Sequence, residues 1–207
     1  MPKLKLSYFD IHGGRGETAR LALAIGGIAF EDHRIPGADW PSKKASTPFG
    51  SLPVLEVDGQ AITQSNGINR YVGKLADLYP SDPLQGLLCD EVLEAIEDIE
   101  TKIGATFNLS DEDKKRERAR LVEGPLALFL TRIQELLVAH GGEYLAGGRL
   151  SVADLRTFVW IRRLRSGILD HIPKDLADRL APRLVALQDR IKELPAVKAH
   201  YAKHGVS

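Results

Sequence analysis

The sequence predicts an α/β domain followed by an all-α domain. Three observations carry this. Short alternating apolar-polar runs, the period of half-buried strands, occur only in the first 79 residues. A Pro-rich break, Pro80-Ser81-Asp82-Pro83, closes that region. Beyond it apolar residues recur every three or four positions, the period of amphipathic helices. The expected division is 1–79, a linker over 80–86, and a helical domain over 87–207.

Leu4-Lys5-Leu6-Ser7-Tyr8-Phe9 alternates and breaks at Gly13-Gly14, a strand and then a loop. Gly16 to Ile25 reads as a helix with Ala19, Ala22, Leu23 and Ile25 near one face and Gly26-Gly27 as its stop. Phe30 to Ile35 is strand-like, so the first three elements form a right-handed crossover joining parallel strands. Val54 to Val57 and Gln60 to Thr63 flank Asp58-Gly59, whose residues tolerate the positive φ angles of a tight hairpin turn. Ser65 can cap a helix carrying Ile68, Tyr71, Val72, Leu75 and Leu78. The region reads βαβ, a bridging segment, then ββα.

In the second half, Leu88, Val92, Ile96, Ile99, Ile103 and Phe107 make one stripe on a long helix. Ser110 caps the next helix, which Pro125 should kink. Ser151-Val152-Ala153-Asp154 is a capping-box variant at the start of a buried helix. Pro173, Pro182 and Pro195 divide the remainder into short helices.

The bulk composition excludes several classes of function. With 43% hydrophobic and 27% charged residues the chain is globular rather than disordered. Its 28 basic and 28 acidic residues create no global field that would draw in nucleic acid or an anionic membrane. The single cysteine, Cys89, allows no intramolecular disulfide, and no apolar run is long enough for a membrane span or a signal peptide, so a cytoplasmic location is expected.

Tyr8-Phe9-Asp10, Arg15-Gly16-Glu17-Thr18-Ala19-Arg20-Leu21, Phe49-Gly50-Ser51-Leu52-Pro53-Val54-Leu55, and Gln64-Ser65 with Ile68, Arg70 and Tyr71 carry a more specific likeness. Together they resemble the cytosolic glutathione transferases that use a tyrosine, with the sigma-like class the nearest in shape, over essentially the whole chain. The resemblance implies a thioredoxin-like glutathione-binding domain, glutathione as co-substrate, no metal, a small apolar electrophile as second substrate, and a homodimer. It implies that Tyr8 activates the thiol and that Arg15 adds a positive field. A cis bond before Pro53 would turn the Leu52 backbone towards the cysteinyl part of glutathione. Gln64 and Ser65 would meet the γ-glutamyl carboxylate, Trp40 and Lys44 (or Lys43) the glycyl carboxylate, and Ser51 stands where many members carry glutamine. Glu94 aligns with an acid that meets the free amine from the other subunit.

Read without that resemblance, several of these residues have plainer roles. Tyr8 is a half-buried strand aromatic, Ser65 an N-cap, Lys43-Lys44 a solvated pair, and Arg15 an ion-pair partner of Glu17 or another acid. The family usually spaces the tyrosine and the arginine one residue closer, and Gly13-Gly14 is the insertion. The electrophile pocket is expected between Phe9, Ile11 and Gly14 on one side and Ile103, Gly104 and Phe107 on the other, residues that otherwise read as core. Conjugation is the expected reaction. Isomerisation, including prostanoid synthesis, and peroxide reduction need the same thiolate, and a non-catalytic binder would keep the site without ionising the thiol.

Overall fold

The computed structural model describes residues 2–205. Met1 and the last two residues of the expected 87–207 domain lie outside the described residues. The chain divides into two compact units, Pro80–Lys192 and the segment up to Tyr79 joined by the residues from Glu193 onward.

The first unit contains β1 (Leu4–Phe9), α1 (Glu17–Ile25), β2 (Glu31–Ile35), α2 (Trp40–Lys43), β3 (Val54–Val57), β4 (Gln60–Ile62) and α3 (Ser65–Leu75). The sheet order is β2-β1-β3-β4. β1 runs parallel to β2, with Tyr8 opposite Arg34, and antiparallel to β3, with Ser7 opposite Val54. Asp58 and Gly59 both have positive φ (49° and 88°), the conformation a two-residue hairpin needs to match strand twist. Gly26 closes α1, and a Cβ there would lie 2.7 Å from that of Ala76, which sets how closely the end of α1 approaches the residue after α3.

α1 is buried on nearly every side, from Glu17 through Leu23. It packs against α3 and against α10 (Pro195–Ala202), which returns to the first unit rather than continuing the helical domain expected over 87–207. Part of this packing is polar: the wholly buried Glu17 carboxylate accepts a hydrogen bond from His200 of α10, beside the buried Val197 and Tyr201. Ser65 is the first helical residue of α3, and the N-cap is Gln64, at φ 74° and ψ 101°. The capping expectation at Ser65 is therefore off by one position.

The second unit holds α4 (Pro83–Gly104), α5 (Asp111–Leu121), a π-helical turn (Val122–Leu126), α6 (Ala127–Ala139), α7 (Val152–Arg165), α8 (Leu176–Leu180) and α9 (Pro182–Lys192). The expected linker over 80–86 is shorter, because the Asp82 side chain accepts from the Gln85 N–H and Pro83 opens α4. The buried stripe of α4 is Cys89, Val92, Leu93, Ile96, Ile99, Glu100 and Ile103. Leu88 is only half-buried, and Phe107 lies past the end of the helix with 47% of its surface exposed. This stripe is consumed by packing within the unit, chiefly on α7. Inside it, Glu100 meets Arg156 at 2.7 Å and Arg163 at 3.0 Å. Pro125 sits within the π-helical turn, where a missing N–H and a bulky ring are accommodated by widening the helix.

The capping box at α7 forms as its sequence predicts. Asp154 accepts from the Ser151 N–H (2.8 Å), the Ser151 hydroxyl (2.7 Å) and the Leu145 N–H (2.8 Å). Burial pushes its carboxyl up to about 6, so at neutral pH it remains the acceptor that three donors require. Asp154→Ala would strand two buried N–H groups and lower the stability of the chain by about 3–5 kcal/mol, read as a fall in urea midpoint, whereas Asp154→Asn, which keeps one acceptor oxygen, would cost less.

Candidate active site

Tyr8 lies on the C-terminal half of β1, and only 6% of its surface is exposed. Its ring is enclosed by the loop that follows. A Cβ on Gly16 would lie 2.4 Å from the ring atom Cγ, and a Cβ on Gly14 would lie 2.5 Å from the hydroxyl oxygen. Gly14 also has φ 70°, a conformation that suits glycine. Gly14 and Gly16 thus let backbone pass where a side chain could not.

The Arg15 backbone N–H donates to the Tyr8 hydroxyl oxygen at 2.9 Å. The expected contribution of Arg15 was its charge, and the contact to Tyr8 here comes from its main chain. Its expected partner Glu17 is engaged by Arg20 and His200. A phenol that accepts a hydrogen bond at oxygen becomes a better donor through its own O–H.

Arg20 organises this loop and was not singled out by sequence. It has no exposed surface, and its Nε donates to Asp32 at 2.9 Å. Its Nη1 donates to the Ile11 carbonyl at 2.9 Å and to Glu17 at 3.2 Å, and its Nη2 to the Phe9 carbonyl at 3.2 Å. The guanidinium carbon stands 5.6 Å from the centre of the Tyr8 ring. The available signal was a Glu-x-x-Arg pair inside an otherwise apolar helix, since charges survive there only when paired.

The other expected ligand contacts of this unit are placed as follows. Phe9 packs edge-on against Tyr8 and Trp40, with ring centroids 5.4 and 5.6 Å apart. Leu52–Pro53 is cis, and the β1–β3 ladder stops at Ser7–Val54, before Leu52 is reached. Lys43 is exposed at the end of α2, and Lys44 and Ser51 are exposed between α2 and β3. Gln64 is exposed in a backbone conformation that non-glycine residues avoid, while Ser65 beside it is buried at the N-terminus of α3, whose first N–H groups have no partner within the helix. Ile11 is 48% exposed.

The remaining expected residues belong to the second unit. Glu94 is exposed on α4, Ile103 is core, and Gly104 is the last residue of that helix. Phe107 is flanked by the guanidinium groups of Arg118 and Arg163, 5.2 and 5.6 Å from its ring centre. The lone thiol, Cys89, is buried in the same unit, and burial pushes it up to about 12, so it is not a thiolate at neutral pH.

A strand-end tyrosine, a cis-proline loop and a helix N-terminus on one small mixed sheet, followed by a helical unit, define a two-unit protein with a thioredoxin-like first unit. The comparisons specify it. The family model described as "Glutathione S-transferase, N-terminal domain" matches residues 4–74, and the one described as "Glutathione S-transferase, C-terminal domain" matches residues 97–204. The chain is 36% identical to hematopoietic prostaglandin D synthase of Gallus gallus over 98% of this chain and 97% of that protein. It is 32% identical to glutathione S-transferase 1 of Ascaris suum, again over 98% and 97%. A solved structure of prostaglandin synthase D of Nilaparvata lugens superposes with a TM-score of 0.88 at 34% identity, covering all of both chains. The chain belongs to the glutathione S-transferase family. No helix among the described residues is long and apolar enough to cross a membrane.

The electrostatics of the loop give a direct test. Burial of Glu17 works to raise its pKa, but the hydrogen bond from His200 and the charge of Arg20 outweigh it and hold the carboxyl below its ordinary value of 4.5. A depressed folded pKa means that the carboxylate contributes stability above the unfolded value and loses it as pH falls through the folded one. Glu17→Gln should therefore lower stability by about 3 kcal/mol at pH 7. The gap to wild type should narrow as pH is taken below about 4.5, measured by urea denaturation across that range.

Proposed function

We propose that this transferase binds glutathione along the edge formed by Tyr8, Leu52-Pro53 and Gln64-Ser65, and that Tyr8 donates its O–H to the glutathione sulfur as the thiol ionises. The observation that carries the reading is the buried Tyr8 hydroxyl accepting the Arg15 N–H behind a glycine-lined loop. Leu52 would offer backbone groups to the cysteinyl part, Ser65 and the N-terminus of α3 would meet the γ-glutamyl carboxylate, and Trp40 with Lys44 the glycyl carboxylate. Glu94 would meet the amine from the partner of a homodimer. Because the α4 stripe is internal, the exposed Leu84 and Leu87 of α4, 61% and 63% accessible, are better candidates for contact with that partner.

A hydrogen bond to a charged group is worth about 1.5–3 kcal/mol, which equals roughly one to two pKa units. That brings a thiol from about 8.5 to about 7, from a few per cent thiolate to about half. The thiolate then attacks an electrophilic carbon. With chloro-dinitrobenzene the S–C bond forms, the C–Cl bond breaks, chloride leaves with the bonding electrons, and the thiol proton has already passed to solvent. The buried, unionised Cys89 supports a nucleophile supplied by the co-substrate and a reducing, cytoplasmic setting.

A second reading has specific support: relatives named prostaglandin D synthase match along nearly the whole chain, so glutathione-dependent isomerisation yielding a prostaglandin D product would use the same thiolate. Turnover of chloro-dinitrobenzene and formation of prostaglandin D, assayed side by side, separate the two.

In Tyr8→Phe, the absorbance of bound glutathione thiolate should titrate about one to two units higher than in wild type, and turnover at pH 7 should fall about tenfold or more. Retention of both values would remove Tyr8 from the mechanism. Gly14→Ala, whose added methyl occupies the place of the hydroxyl, should move the thiol titration in the same direction as Tyr8→Phe while leaving glutathione affinity within about threefold.

A further inference from the structure

We propose that His12, Glu17 and His200 form a binding site for one divalent transition-metal ion, with zinc the best match to its donors. His12 comes from the loop after β1, Glu17 from the first turn of α1 and His200 from α10, and one ligand atom from each lies within 4.8 Å of the others. Two imidazoles and a carboxylate are a donor set used by zinc, and imidazole also suits copper and nickel.

The geometry is near what an ion requires. Bonds of about 2.0–2.1 Å in a tetrahedral arrangement place ligand atoms roughly 3.4 Å apart. The Glu17 Oε1 and His200 Nε2 atoms are already 3.2 Å apart. Arg20 holds the other carboxylate oxygen, Oε2, at 3.2 Å, which keeps Oε1 turned towards His200. His12 lies within 4.8 Å of both and would have to close in by at most about 1.4 Å. It is half-buried on a bend that continues into Gly13-Gly14, where backbone adjustment meets little steric resistance.

The charge around the site accepts a dication. Three carboxylates, Asp10, Glu17 and Asp32, surround two guanidinium groups, Arg20 and Arg34, in one connected set of ion pairs. The set is left one charge negative. The His12 ring is itself in this set, its Nε2 3.5 Å from Arg34 Nη1. The ring of His204 lies 5.1 Å from that of His12 and 5.5 Å from that of His200, but its Nε2 faces Arg34 at 3.5 Å. Three protein ligands leave the fourth position to water. A bound ion would tie the loop carrying Arg15 to both α1 and α10, joining the two sequence-distant parts of the first unit.

The test is a zinc titration of chelator-treated, full-length protein without glutathione, in competition with a chromophoric chelator. One zinc per chain is expected. His12→Ala and His200→Gln should each weaken binding by more than the roughly 10–100-fold typical of groups that only support a ligand. His171→Ala, which removes an exposed histidine paired with Asp111 elsewhere, should leave it unchanged. Far-UV circular dichroism and glutathione affinity establish that each variant is folded, and zinc should raise the thermal midpoint of wild type but not of His12→Ala. Absence of stoichiometric binding in wild type, or equal affinity in wild type and His12→Ala, would overturn the proposal.

Discussion

The buried guanidinium of Arg20 is the constraint on which the first unit depends. A charge with no exposed surface is tolerable only if its donors are met, and here they meet two carboxylates and two main-chain carbonyls. Those partners come from the end of β1, the loop after it, the start of α1 and the middle of β2. One side chain therefore fixes how the chain leaves the first strand. Replacing such a hub by an apolar residue would leave Glu17 and Asp32 uncompensated in turn, so the network is retained or lost as a whole.

The position of Tyr8 follows from that hub. Because Arg20 holds the Phe9 and Ile11 carbonyls, the loop folds back across the Tyr8 ring rather than away from it. Gly14 and Gly16 are the two places where the returning backbone comes too close for a side chain. At the end of this path the Arg15 N–H reaches the phenol oxygen. Gly14 adopts a positive φ on that path, and the contact that Arg15 makes with the phenol is through its main chain.

Much of this was legible in the sequence where the signal is local. Asp58-Gly59 specifies its turn by the φ angles it tolerates, Ser151-Val152-Ala153-Asp154 its cap by hydrogen-bonding groups at fixed offsets, and Pro125 its helix defect by a missing N–H. The misses share a different cause. Ser65 reads as a cap because the exposed Gln64 offers no hint that it will take a strained backbone conformation. The α4 stripe drifts by one residue at its start and overruns at its end, because periodicity does not say where a helix stops. The return of α10 to the first unit depends on His200 meeting Glu17 from the far end of the chain, and no window on a sequence contains both. The same separation hides the His12, Glu17 and His200 cluster.

These local and long-range determinants converge on a division of labour in the chemistry. The one thiol the protein owns is locked in an apolar stripe and held protonated, so any sulfur nucleophile must be borrowed. A borrowed nucleophile need not be made by the fold. It has only to be bound along an edge and stabilised as it ionises, tasks that suit main-chain groups and a single phenol better than a strongly charged pocket. That is consistent with a sequence whose net charge is zero and whose strongest charges in the first unit are spent internally, on Arg20 and its partners. On the proposed mechanism the charge that matters to catalysis would arrive with the co-substrate, and the protein's contribution would be the placement of the Tyr8 hydroxyl beside it.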